Sequence, residues 1–162
     1  MHFFANWEFW LTIITSFVAC LSLILTLVQI QVSNKQRLFD LRIEKYVRMQ
    51  RLLNLYQKHS FLLKDTRLLI EASDGILIWF INSADLENMG AVLKNPRDND
   101  AKKIFLTQCE KIEDMSTEIR LLWPDENGLN ASTFVAAYAQ FLFALYQQYV
   151  FIDILKEPGK EN

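Results

Sequence analysis

The chain has 162 residues, of which 51% are hydrophobic and 22% charged, a balance that excludes an intrinsically disordered or collagen-like polypeptide. Its formal charge of −2 is uninformative overall but hides an asymmetry, with seven Lys/Arg against Asp40 and Glu44 between Ser33 and Ser60. Two cysteines (Cys20, Cys109) and two histidines (His2, His59) stand too far apart along the chain to suggest a disulfide framework or a His/Cys metal site. No cofactor is expected.

From Phe9 to Asn34 there is no charged side chain. About 20 apolar residues, rising 1.5 Å each, already cross a ~30 Å hydrocarbon core, so residues 1–34 read as a transmembrane segment. Trp7 and Trp10 stand at its start, where an indole can lie among lipid headgroups. A cleavable signal peptide would need a basic start and a short apolar core, and neither is present. The stretch Phe17-Val18-Ala19-Cys20 is faintly similar to a lipoprotein cleavage box. The sequence stays apolar after it, so Cys20 reads as a small packing residue.

Beyond the span come Lys35, Arg37, Arg42, Lys45, Arg48 and Arg51, whereas no Lys or Arg precedes it. The positive-inside rule then predicts that the amino terminus lies outside and the remainder of the chain in the cytoplasm. These six side chains are candidate contacts for anionic headgroups or a partner. Nucleic acid is not an expected ligand of this segment, which carries no recognisable binding motif.

No Gly or Pro occurs before Gly75, so the span is expected to continue unbroken into residues 35–60 as one helix from about Asn6 to Lys58. The cytoplasmic part of that helix carries Phe39, Ile43, Tyr46, Leu53 and Tyr56 at helical spacing, with Leu38, Leu41, Leu52 and Leu55 widening the stripe. Residues 61–156 supply the rest of a cytoplasmic helical bundle, and residues 157–162 a tail. Phe61 to Ser73 reads as helix, and Ile76 to Ile81 as a further helix because no second strand pattern exists for it to pair with. Asn82 or Ser83 is a candidate cap for the next segment, which Asn95-Pro96 ends. Asp98 or Asn99 opens a helix with Phe105, Cys109, Ile112, Ile119 and Leu122 on one side, stopped by Pro124.

The segment PDENGLN is a turn, and Asn130 or Ser132 is the expected cap of a final helix ending near Leu155. That helix is free of charge from Asn127 to Ile152, as either a second span or a central core helix would be. Gln140, Gln147, Gln148 and its tyrosines, with Lys156 and Lys160 beyond, favour the core. Phe134, Tyr138, Phe141, Leu145 and Phe151 are its expected packing residues. The fold class is therefore all-α: an amino-terminal transmembrane helix continuing into a cytoplasmic helical bundle.

Within the span the non-apolar residues fall on one line. Thr12, Thr15, Ala19, Ser22, Thr26, Gln29, Ser33 and Gln36 step by alternating three and four, which defines a heptad-like seam. Small and polar residues let membrane helices approach and exchange hydrogen bonds, so the seam is a candidate surface for self-association or, in a closed ring, for lining a pore. Its competing explanation is local: Ser and Thr hydroxyls in helices often bond a carbonyl one turn back.

No phosphate-binding glycine loop or hydrolase motif is present, and the chain is not expected to be an enzyme. Arg51 and His59 are spaced more widely than the Arg/His pair of helical ribonuclease domains. They read instead as a snorkelling Arg and a surface His. The carboxylates at Asp85 and Glu87, and at Glu110, Glu113 and Asp114, read as solvated helix faces.

The charge-free span followed by FDLRIEKY (Phe39 to Tyr46) resembles a group of bacterial single-pass proteins with an F-[DE]-x-R-x-x-x-Y entry helix, over about residues 9 to 60. In length, topology and long first helix the chain is also similar to the membrane accessory proteins of type VI-B CRISPR RNA-targeting systems. That resemblance implies an oligomeric inner-membrane pore that enhances antiphage defence. The expected function is thus a self-assembling membrane protein that alters permeability. The alternative is a membrane-tethered scaffold that recruits a cytoplasmic protein partner without a pore.

Overall fold

The computed structural model describes residues 2–64 and 75–156, with side chains described for 7–64 and 75–155. Among the described residues six elements follow in chain order: α1 (His2–His59), α2 (Phe61–Lys64), α3 (Ile76–Ile81), a 3-10 helix (Ala84–Leu93), α4 (Asn99–Leu122) and α5 (Glu126–Lys156). The protein is all-α, with no strand among the described residues. The expected helix over Phe61 to Ser73 is present as far as Lys64, and its remainder lies outside the described residues, as does the tail. The chain divides within α1 into two compact units, one ending at Ile43 and the other beginning at Glu44.

The first unit is helix alone. Its side chains from Trp7 to Leu41 are all exposed, and by length and composition this helix is apolar enough to cross a membrane. α5 passes the same test, but part of its apolar stretch is buried inside the bundle.

The second unit has one core. α4 is built by its own pattern: Ala101, Phe105, Cys109, Ile112, Met115 and Ile119 are buried at spacings of three and four. Asp98 caps it, its carboxylate accepting from the Ala101 N–H at 2.9 Å and satisfying one of the donors a helix start leaves open. α4 lies along α5, which contributes Val135, Tyr138, Ala139, Leu142, Leu145 and Tyr146 to the core. α3 closes it with Ile76, Leu77, Phe80 and Ile81. The Phe80 ring is fully buried, edge-on to Phe141 at 4.8 Å between centroids, a favoured aromatic geometry.

Between α3 and α4 the backbone winds as a 3-10 helix. Leu86, Met89 and Val92 are buried at steps of three, and in a 3-10 helix residues three apart eclipse on one line. Ser83 precedes it in extended conformation without a side-chain cap bond. α5 corrects its expected start. The helix begins at Glu126, Asp125 Oδ1 accepts from the Gly128 N–H at 2.8 Å, and Asn130 and Ser132 lie inside the helix. An aspartate placed before the first turn caps it earlier than either residue could.

Two further packing expectations are corrected. Phe151 is 61% exposed, because six residues beyond Leu145 a helix has turned about 600°, placing Phe151 away from the Phe134–Tyr138–Phe141–Leu145 line. On α1 the buried line is Leu52, Leu55 and His59, with Met49 partly buried, whereas Phe39, Ile43 and Tyr46 are exposed. The covered face is rotated from the expected stripe toward the leucines that flank it.

Candidate self-association seam and basic collar

The seam residues Thr12, Thr15, Ala19, Ser22, Thr26, Gln29, Ser33 and Gln36 are all exposed on α1. Four of the hydroxyls bond within the helix. Thr12 Oγ1 donates to the Glu8 carbonyl at 2.9 Å, Thr15 Oγ1 to Leu11 at 2.9 Å, Ser22 Oγ to Val18 at 2.9 Å and Thr26 Oγ1 to Ser22 at 2.8 Å. A hydroxyl satisfied this way can face hydrocarbon at little cost while presenting a small, neutral surface. Gln29 is different in kind, since its carboxamide brings two donors and an acceptor. Among the described residues it forms no side-chain hydrogen bond within the chain.

The six basic residues after the span divide into two sets. Lys35 and Arg37 are exposed. Lys45, Arg48 and Arg51 are engaged within the bundle: Lys45 Nζ pairs with Glu118 of α4, Arg48 with Glu44 one turn back at 3.2 Å, and Arg51 Nη1 with both Asp85 oxygens at 2.9 and 3.2 Å. Arg42 is half-buried and also has an interaction partner. Lys45 and Arg51 therefore tie α1 to α4 and to the 3-10 helix. The exposed Arg51–Asp85 pair contributes roughly 0.2–1 kcal/mol, and Lys45, itself half-buried, holds the bundle part of α1 against α4.

His59 corrects its reading as a surface residue. It is 5% exposed, packed against Trp79 at 5.4 Å and Phe80 at 6.1 Å between ring centroids. Eight residues turn a helix by about 800°, so Arg51 and His59 leave α1 on sides about 80° apart. Arg51 meets Asp85 while His59 enters the aromatic core. Burial lowers the imidazole pKa below its ordinary 6.5, and the neighbouring Lys58 ammonium lowers it further. The folded state thus favours neutral His59. The stability this supplies is present above pH 6.5 and is lost as pH falls through the depressed pKa. Replacing His59 by Phe is expected to flatten the loss of stability below about pH 6.5, as measured by denaturant unfolding of the full chain in detergent over a pH series.

The remaining titratable groups belong to the framework. Burial, reinforced by Glu113 and then Glu110, pushes the Cys109 thiol up to about 12, which keeps it protonated and unreactive at neutral pH. Tyr138 and Tyr146 are likewise raised by burial. Their hydroxyls donate to Phe80 O at 2.6 Å and Pro96 O at 3.0 Å, and Tyr149 donates to Leu93 O at 2.9 Å. Three tyrosines of α5 thereby fasten the last turn of α3, the end of the 3-10 helix and the loop that follows it.

Asp85 is the partner of Arg51, and Glu87, Glu110, Glu113 and Asp114 are exposed. No group of His, Cys, Asp and Glu among the described residues could hold a metal ion. The groove between the 3-10 helix and α4, about 990 Å³, is lined in part by Lys94, Lys103, Lys111, Glu87 and Asp98. Asp98 is committed to the α4 cap.

The fold and its surfaces define an all-α protein whose leading helix is apolar and exposed, followed by a small bundle. No family model, curated protein or solved structure matches the chain.

Proposed function

We propose that this chain is a single-span inner-membrane protein that self-associates through α1 and alters membrane permeability, acting as an antiphage defence effector or accessory. Gln29 carries the self-association. In hydrocarbon an amide without a partner is costly, and an equivalent glutamine on a neighbouring copy offers both the donor and the acceptor it lacks. Such interhelical bonds contribute about 0.6–2 kcal/mol each in membranes. Ala19 and the internally bonded Thr12, Thr15, Ser22 and Thr26 leave a small surface along the same line, so that helices can approach closely enough to form them. In a closed ring of copies, Gln29, Ser33 and Gln36 would give the cytoplasmic end of the seam a polar lining.

Lys35 and Arg37 support an orientation with the amino terminus outside and the bundle in the cytoplasm. Cysteines added one at a time to a background without Cys20, in which the buried Cys109 remains, test it. His2→Cys should react with an impermeant maleimide from the periplasmic side and Ser60→Cys should not; the reversed pattern overturns the topology.

The assembly is tested by Ser22→Leu, Thr26→Leu and Gln29→Leu together, in the full chain. These changes preserve an insertable helix while removing the polar contacts. Native mass in detergent should fall to monomer, and depolarisation followed by a potential-sensitive dye should disappear. Ile24→Leu and Val28→Ile on the opposite face should leave both unchanged. Normal assembly and depolarisation in the seam variant would remove the proposal's basis.

A tethered scaffold is the second reading, and the four internally bonded hydroxyls favour it, since each has already spent its donor within its own helix. The bundle also exposes Tyr46, Phe61, Ile78 and Trp79, apolar surface of the kind partners cover. Co-purification of a specific cytoplasmic protein without any depolarisation would replace the pore with this function.

A further inference from the structure

The 3-10 helix and α4 face each other across the groove of about 990 Å³, and the period of each helix builds its wall. In a 3-10 helix, residues three apart share a line. The line Leu86–Met89–Val92 is buried in the core, which turns Asn88, Ala91 and Lys94 to the groove. At about 2 Å per residue that wall is about 12 Å long. On α4 the line Lys103, Thr107 and Lys111, in steps of four, forms the opposite wall, again about 12 Å from end to end at about 1.5 Å per residue. The chain turns between the walls at Asn95-Pro96, where the Asp98 N–H donates to the Asn95 carbonyl, so Lys94 and Lys103 stand at one end of the groove. Lys111 stands at the other, where it shares a small cavity with Asp85 and Leu86.

Four cations of the bundle, Lys45, Arg48, Arg51 and Arg97, each hold a carboxylate. Lys94, Lys103 and Lys111 are exposed and form no ion pair among the described residues, although two carboxylates line the same groove. Asp98 is already engaged by the Ala101 N–H, and Glu87 follows Leu86 at the Lys111 end. The excess of positive charge is therefore at the Lys94–Lys103 end. We infer that the groove binds a small elongated anion of the phosphate class, with one phosphate between Lys94 and Lys103 and a second near Lys111.

The ligand class follows from what lines the walls. A lysine ammonium is a compact point charge suited to a phosphate, whereas the planar fork that meets a carboxylate through two parallel bonds belongs to arginine. No arginine and no aromatic side chain lines the groove among the described residues, so a nucleobase would find nothing to stack on. The ligand is thus a chain of phosphates or a phosphate ester without a base, free in solution or borne by a lipid headgroup. Asn88, Thr107 and Gln108 supply neutral donors to its remaining oxygens. The volume is at the upper end of the roughly 300–1,000 Å³ of small-molecule sites. Every residue of the groove belongs to the bundle unit, so binding does not depend on self-association through α1.

Isothermal titration of the full chain in neutral detergent with inorganic tripolyphosphate tests the site. Saturable binding is expected, weakened at least about tenfold by Lys94→Gln together with Lys103→Gln. Lys64→Gln with Lys102→Gln removes the same charge from exposed positions outside the groove and should change binding by less than about twofold. Ala91→Phe keeps every charge but fills the space between the walls, so it too should weaken binding at least about tenfold. All five positions are exposed, and thermal unfolding of each variant should match the parent. Bis(glycerophospho)glycerol, a two-phosphate lipid headgroup without its tails, is the second probe. Tighter binding of tripolyphosphate assigns a free oligophosphate and tighter binding of the headgroup a lipid; either result supports the site. Absent or non-saturable binding of both probes, equal weakening by the two lysine pairs, or an Ala91→Phe variant that binds as the parent does overturns it. Pentaglutamate that binds more tightly than both probes assigns the groove to acidic peptides and overturns the phosphate ligand.

Discussion

Tyr138→Asp is expected to unfold the bundle. Tyr138 is 2% exposed, its ring lies beside Phe134 and Phe141, and its hydroxyl donates to the Phe80 carbonyl at 2.6 Å. Aspartate removes the ring, leaves that carbonyl without its donor and places a carboxylate among aromatic side chains with no cation to meet it. Loss of a buried aromatic alone costs about 3–5 kcal/mol, and an uncompensated buried charge adds several more. The sum is comparable to the entire stability of a domain of this size, roughly 5–15 kcal/mol. Denaturant titration of the full chain in detergent, followed by circular dichroism, measures it, and a parental midpoint would show that α5 is not a core helix. Tyr138→Phe isolates the hydrogen bond and should cost about 1–3 kcal/mol.

The same substitution isolates a pH effect. Burial raises the Tyr138 phenol above its ordinary 10, so the folded state retains a proton that the unfolded chain releases. The resulting stability is present below pH 10 and is lost as pH rises through the folded-state pKa. Tyr138→Phe should remove that alkaline slope.

Gly128→Ala is expected to have the next largest effect. α5 starts immediately after the chain turns at Pro124, and Gly128 passes against the last residue before that turn. A Cβ built on it would lie 2.6 Å from Trp123 Cβ and 2.7 Å from the Trp123 carbonyl carbon, and nearer still to the carbonyl oxygen. The obstacle is backbone, which cannot rotate aside as a long side chain could. Either the α4–α5 turn or the first turn of α5 must shift, disturbing the bond from the Gly128 N–H to Asp125. Overpacking of this kind costs about 1–3 kcal/mol, and more where backbone must move. In an unobstructed helix the same change would stabilise by about 0.5–1 kcal/mol, so the sign of the measured effect decides the matter. A stabilised Gly128→Ala variant would mean that the turn is not as tight as described.

Much of the architecture was legible locally. The charge-free run from Phe9 to Asn34 requires only counting, because crossing a hydrocarbon layer depends on length and composition within one helix. α4 announces itself through its apolar period, the Asp98 cap three residues from its donor, and Pro124 after its end. Leu86, Met89 and Val92 carried the step of three that marks a 3-10 helix, a signal in the sequence that a search for helical steps of three and four passes over.

Other features were decided by contacts between distant residues. Arg51 finds Asp85 thirty-four positions away, and no local pattern pairs them. Whether the aromatic or the leucine side of α1 is covered depends on where Phe80, Phe141 and Glu118 stand, and the aromatic stripe misled because both sides are apolar. α5 poses the same difficulty in stronger form: it is uncharged around its whole circumference from Asn127 to Ile152. A helix of that kind has no sequence-encoded inner face, so the tyrosine hydroxyls that must reach Phe80, Pro96 and Leu93 select which residues enter the core and leave Phe151 outside. Local sequence determines a helix and its length, because backbone hydrogen bonds and side-chain spacing act within a few residues. The rotation of each helix about its own axis, and with it the choice of buried and exposed faces, is determined by the packing partners that the tertiary structure supplies.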